Sequence, residues 1–131
     1  MIEMALALPL LLLFLYGIIS YGVLMAAQHT LVQSAADAAR AAVASTEPST
    51  AALDQADTSL GWLGQCGLSG VTCTATPTAG ACSAAVSAPC ITVVIKYDYA
   101  DHPLVPELPG LNLVMPSTIQ ASTTTLLAPQ S

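Results

Sequence analysis

Two sets of side chains in this sequence could do chemistry, and they lie far apart. The first is Glu3, a single carboxylate in Met1 to Ala27, MIEMALALPLLLLFLYGIISYGVLMAA, a segment that is otherwise without charged side chains. A carboxylate beside such a run is costly to bury unless a cation neutralises it, so its chemistry would be ion pairing in a medium of low dielectric. The nearest cation in the chain is the α-amino group of Met1. The second set is four cysteines, Cys66, Cys73, Cys82 and Cys90, within a window of 25 residues. In a domain too small for a large core they read as two disulfides made in an oxidising compartment. Four cysteines allow three connectivities, and the sequence does not choose among them. Local pairing, Cys66 with Cys73 and Cys82 with Cys90, is the favoured arrangement.

Other reactive residue types form no constellation. Asp101 and His102 are adjacent in a proline-rich stretch with no placed nucleophile, and Asp98 alternates with Lys96 along one strand, so the chain is not expected to be an enzyme and needs no cofactor. No cysteine spacing is C-x-x-C, and His29 and His102 fall on different elements, which argues against a metal site. Asp54 and Asp57 lack the further oxygen ligands that calcium requires at loop spacing and read as a solvated helix face. His29 reads as a polar residue at a membrane boundary. The net charge is -6 and the only basic side chains are Arg40 and Lys96, far apart. Nucleic-acid binding, which needs clustered cations on phosphates, is excluded on that ground.

The element that carries Glu3 must be a helix of membrane length, since about 20 apolar residues at 1.5 Å rise cover roughly 30 Å of hydrocarbon. A secretory signal peptide would carry a basic start, a shorter apolar run and a small-residue cleavage site. A plain signal anchor would be oriented by positive flanks, which this chain lacks. Ala-rich sequence without Gly or Pro continues from Ala27 to Ser45, so one helix of about 44 residues and near 65 Å is expected. Its second half is polar on one side (Gln28, Gln33, Asp37, Arg40) and apolar on the other (Leu31, Ala35, Ala38, Ala42). Asp37 and Arg40 are spaced to pair on the surface. Pro9 should kink or locally melt the helix, Gly17 and Gly22 add two further soft points, and small residues such as Gly17, Ser20 and Ala26 let other helices approach closely.

Downstream, Thr46-Glu47-Pro48-Ser49 breaks the long helix, and Ser49 or Thr50 is placed to cap a short second helix through about Leu60. Leu53, Ala56 and Leu60 would form its apolar face, with Asp54 and Asp57 outward. Trp62 is expected to anchor a thin core. Strands are expected at Val71 to Thr76, at Ile91 to Ala100 and at Ser117 to Leu127, where Pro129 ends the last. In the second strand Ile91, Val93, Ile95, Tyr97 and Tyr99 share one face. Loops at Pro77 to Pro89 and Asp101 to Gly110 join them. The expected fold is α+β: residues 1–46 form the N-terminal helix (1–27 membrane or filament core, 28–46 amphipathic), and 47–131 form one small domain with a three-stranded antiparallel sheet.

Three stretches resemble the TadE-like proteins, the minor pilins or pseudopilins of tight-adherence pilus systems. Glu3-Met4-Ala5-Leu6-Ala7-Leu8-Pro9-Leu10-Leu11-Leu12 is similar to that family's E-F-A-L-V-L-P-L-L-L opening. Gln33 to Ala42 resembles its Ala-rich helix ending in A-A-R-x-A-A. Ile91 to Tyr99, then Pro103-Leu104-Val105-Pro106 and Ile119-Gln120-Ala121-Ser122, resemble its V-x-V-x-Y strand, proline loop and closing strand.

The resemblance implies a type IV pilin-like filament subunit. It would be held in the inner membrane with its domain in the periplasm, cleaved by a prepilin peptidase, and assembled by pilus machinery with identical or related subunits through its N-terminal helix. Loss of a basic leader would explain the missing positive charge. The family's acidic residue maps onto Glu3, which would pair with the N-terminal amine of a neighbouring subunit, and Met1 and Pro9 belong to the same assembly surface. Processed pilins carry this acid at the fifth position and here it is third, so either cleavage differs or Met1 is an initiator. Whether the chain is a major or a minor subunit stays open, although the size of the domain argues for minor. The rival reading is a bitopic membrane protein exposing a small binding or adhesion domain without polymerising.

Overall fold

The structure is a computed structural model that describes residues 2–78, 82, 88–106 and 115–127. Helix α1 (Ile2–Ala44) is 43 residues long and passes through Pro9 without interruption. Pro9 still removes one backbone donor, so the carbonyl four residues earlier has no helical partner, but the ladder on either side closes over the gap. Helix α2 (Pro48–Leu60) turns back beside α1. Its start corrects the expected cap. Glu47 occupies the N-cap position without a side-chain hydrogen bond, and Pro48 opens the helix, a place where a missing N–H costs nothing. Thr50 is inside the first turn, its hydroxyl donating to the Glu47 carbonyl at 3.0 Å.

Strands β1 (Val71–Thr78), β2 (Cys90–Asp98) and β3 (Thr118–Leu126) form one antiparallel sheet in the order β1-β2-β3. Pairing runs from Val71↔Tyr97 to Thr78↔Cys90 on one side and from Cys90↔Leu126 to Asp98↔Thr118 on the other. Strand β1 continues past the expected Thr76 through Pro77, which an edge strand tolerates. The alternation in β2 sets the core. Ile91, Val93, Ile95 and Tyr97, with Tyr99 just beyond the strand, are buried against α1, while Lys96 and the threonines of β1 at 72, 74 and 76 face outward. From α1 the core takes Ala27, Leu31, Ala35, Ala38, Ala39 and Ala42, and from α2 it takes Ala52, Ala56 and Leu60. The long helix packed on a three-stranded sheet is the α+β architecture expected from the sequence.

Three side chains sit differently from expectation. Trp62 is 56 % exposed, because in the 3-10 turn Gly61–Leu63 it is Leu63 that points inward. On α2 the buried row is Ala52, Ala56 and Leu60, with Leu53 half-buried at its flank. This row shares the core with the α1 alanines Ala27, Ala35, Ala38, Ala39 and Ala42. Asp57 is half-buried rather than outward, and its carboxylate accepts the Cys66 N–H at 2.7 Å. That bond ties the end of α2 to the disulfide-bearing turn.

The disulfides are Cys66–Cys73 and Cys82–Cys90, the local pairing. One clamps the turn that enters β1, and the other clamps the segment that enters β2. Near the sheet's end the Tyr97 hydroxyl donates to the His102 carbonyl at 2.8 Å. Burial, and then the neighbouring Tyr99, raise the Tyr97 phenol above its ordinary pKa. The expected loops at 77–89 and 101–110 fall partly, and Pro129 wholly, outside the described residues.

Candidate functional site

The distinctive surface of this molecule is the N-terminal half of α1. Every position from Glu3 to Leu15 is exposed, although all but Glu3 are apolar. An apolar patch that continues around a helix for about 20 Å is far larger than a lone soluble protein leaves open. By length and composition α1 can cross a membrane, and little of its most apolar stretch is buried within the chain. Leucines dominate this half, which gives good helix propensity and bulky side chains with nothing of their own chain to pack against.

Further along, the exposed surface narrows to one side. Ile18, Ile19, Tyr21 and Met25 remain open, whereas Ser20 and Ala27 are buried under the domain. Two shallow apolar grooves run along this region, one lined by Leu12, Leu13, Leu15, Tyr16 and Ile19, the other by Leu13, Phe14, Gly17, Ile18, Tyr21 and Gly22. A Cβ added at Gly17 or Gly22 would meet nothing within 4 Å. The chain's own packing therefore makes no use of these two glycines, each costing a helix interior about 1 kcal/mol relative to Ala. Gly22 is exposed and Gly17 half-buried, and both line the second groove as open notches.

Glu3 lies in the first turn of α1 and is exposed. A carboxylate there is favoured by the helix dipole. Among the described residues the ion pair present is Asp37–Arg40, at 3.3 Å, and Glu3 has no charged partner. Met1, whose amine is the expected partner, lies outside the described residues. Pro9 sits in the middle of the exposed half, two turns from Glu3. Glu3 and Pro9 thus share one unpartnered surface, and the four cysteines are in the domain, remote from it in the fold.

One contact joins the two regions and had no signal in the sequence. The Tyr16 hydroxyl donates to the Pro106 carbonyl, 90 residues away. Ser20, one turn on, donates to the Tyr16 carbonyl at 2.8 Å. Leu104 packs against the core and Val105 is buried, so the proline stretch is anchored in the domain while Pro106 meets α1 at Tyr16. His102, adjacent to Asp101, serves structure: its ring lies against Gly70 and its backbone N–H bonds the Asp98 carbonyl at 3.3 Å. His29 is exposed on α1 and Asp54 is exposed on α2. No group of three His, Cys, Asp or Glu side chains able to hold a metal ion occurs among the described residues.

Compared with known families, residues 1–40 match the sequence model of a family described as TadE-like protein. The match covers the exposed half of α1 and most of the half that packs on the domain, and residues 41–131 lie outside it. No curated protein and no solved structure gives a significant match. The family match and the apolar helix together fit a membrane protein related to the tight-adherence pilus.

Proposed function

We propose that this chain, TadE-like over its first 40 residues, is a structural subunit of a type IV pilin-like filament of the tight-adherence type. The observation that carries this reading is the half-clothed α1: a helix whose second half is packed on its own domain and whose first half is apolar and exposed all round. Such a surface is covered by lipid before assembly and by the helices of other subunits afterwards. Grooves and glycine notches suit close helix packing, in which van der Waals contact replaces a hydrophobic drive that lipid cannot supply.

Glu3 is the residue that gives this packing a register. Two opposite charges attract far more strongly in hydrocarbon than in water, and an unpaired one is heavily penalised there. Pairing of Glu3 with the Met1 amine of an adjacent subunit would thus select one axial offset between neighbours. A prepilin peptidase and assembly machinery are the implied partners, and the domain would stand in the periplasm before export. Enzymatic activity forms no part of this proposal.

Intact and N-terminal peptide mass spectrometry on material sheared from cells tests the reading. Recovery of the chain in the sheared fraction, with a free amine and an encoded leader removed, is the expected result. Recovery solely in detergent-solubilised membranes would favour a bitopic protein with an exposed binding domain. Within the filament reading, Glu3→Ala should abolish assembly while leaving membrane insertion and both disulfides intact. Normal filaments from that variant would remove the pairing mechanism.

A further inference from the structure

We propose that the corner Pro103–Pro106 of the globular domain lies in the interfacial layer of the bilayer, so that before assembly the subunit touches lipid through its domain as well as through α1. This rests on the membrane-held reading of α1 and adds to it a second lipid contact.

The domain is fastened to α1 at Tyr16 through the Pro106 carbonyl. From Glu3 to Tyr16 the helix rises about 20 Å, whereas the hydrocarbon core is about 30 Å thick. With Glu3 at the far boundary, Tyr16 falls roughly 10 Å short of the near one. Drawing Glu3 inward to gain length would bury its carboxylate, and tilting the helix would shorten its reach further. What remains is for the bilayer to thin around the helix and for the docked corner to enter the headgroup layer.

Exposure on the far side of α1 points the same way. Beyond Tyr16, Ile18 is 70 % exposed, Ile19 54 % and Tyr21 59 %, at the axial level where Ser20 is buried. Lipid-facing side chains and the docked domain therefore share one stretch of helix, on opposite sides. Any bilayer that covers Ile18 and Tyr21 reaches the level of Pro106.

The corner's chemistry suits that position. Pro103, Leu104, Val105 and Pro106 carry no charge, and two of the four have no backbone N–H that would need a partner away from water. Pro103 and Pro106 are exposed and Leu104 is half-buried. Tyr16, with its ring beside lipid and its hydroxyl satisfied by Pro106, has the amphipathic character that places tyrosines at membrane boundaries. Asp101 and His102, both exposed, follow on the water side.

Bromine-labelled lipids test this with the full chain in vesicles of phosphatidylcholine brominated near the headgroup or deep in the acyl chain. In a Trp62→Phe background, single tryptophans are placed by Phe14→Trp, Pro103→Trp, Leu104→Trp and Thr74→Trp. Emission from position 14 should be lost to bromolipid, emission from 103 and 104 should fall more with the shallow bromine than with the deep one, and position 74 should be unaffected. Positions 103 and 104 as unquenched as 74, with 14 quenched, would overturn the inference and mean that the corner leaves Tyr16 or stays clear of lipid. An unquenched position 14 would instead remove the membrane reading itself. Pro103 is exposed, so its variant keeps the test valid should Leu104→Trp disturb packing.

Discussion

Along α1, positions 3 to 15 are exposed on every side, whereas from Ala27 to Ala42 one face is buried against α2 and the sheet. The backbone is the same and both halves are good helix formers, so the difference lies in side-chain volume and in what each half meets. The buried face of the second half is mostly alanine, and α2 answers with Ala52 and Ala56, which lets the helix axes come close. The first half presents leucine after leucine to nothing in its own chain. Along α1, alanine lines most of the face that packs on its own domain, and bulky leucines cover the half that its own chain leaves bare.

Equal substitutions in the two regions should therefore have unequal effects. Ile95→Ala removes a fully buried side chain between the sheet and α1 and should cost about 2–5 kcal/mol, read by thermal or denaturant unfolding of the domain. Leu13→Ala, on the exposed half, should leave the same unfolding transition within about 0.5 kcal/mol while reducing recovery of sheared filaments. A large loss of domain stability from Leu13→Ala would erase the distinction between the halves.

Disulfide removal sharpens the comparison from the other side. Each bond closes a short loop, with sequence separations of 7 and 8. Replacing Cys66 and Cys73 together by Ala should destabilise the domain by about 2–3 kcal/mol, as loops of this size predict. Insertion of α1 into membranes should not change, as measured by fractionation. Failure of insertion in that variant would show that α1 depends on the domain more than its own composition suggests.

Glycines give the smallest and most diagnostic contrast. Gly70 has φ 77°, and an added Cβ would lie 2.5 Å from His102 Cδ2, so Gly70→Ala should cost on the order of 1–3 kcal/mol in the domain. Gly22 has open space around it, and Gly22→Ala should stabilise α1 by up to about 1 kcal/mol in helicity measurements. In the filament the same methyl group should lower yield, because it fills a notch that a neighbouring helix would occupy. Unchanged filament yield would place the subunit contact on another side of the helix.

The parts legible in the sequence were those written in local periodicity. The apolar run and the Gly- and Pro-free alanine stretch gave α1 nearly to its last residue, and the alternation from Ile91 to Tyr99 gave both β2 and its buried face. What escaped was set by partners distant in sequence. Trp62 looked like a core residue by type, yet a single 3-10 turn handed the core to Leu63. On α2 the buried row took Ala52 in place of Leu53, in a core shared with α1, and Asp57 found a backbone N–H nine residues away. At the candidate surface, Glu3 and Pro9 were visible as exceptions within an apolar run. Tyr16 was not, because its partner Pro106 is 90 residues distant and nothing local marks it.

Photo-cross-linking most directly tests whether the exposed half of α1 is where subunits meet. A benzoylphenylalanine at position 13, in the open grooves, is compared in sheared filaments with one at position 74 on the outer face of the sheet. Cross-links from position 13 to the N-terminal helix of a second pilin-like subunit are expected, and none to that helix from position 74. Lipid adducts alone at position 13, with the chain missing from the sheared fraction, would contradict it.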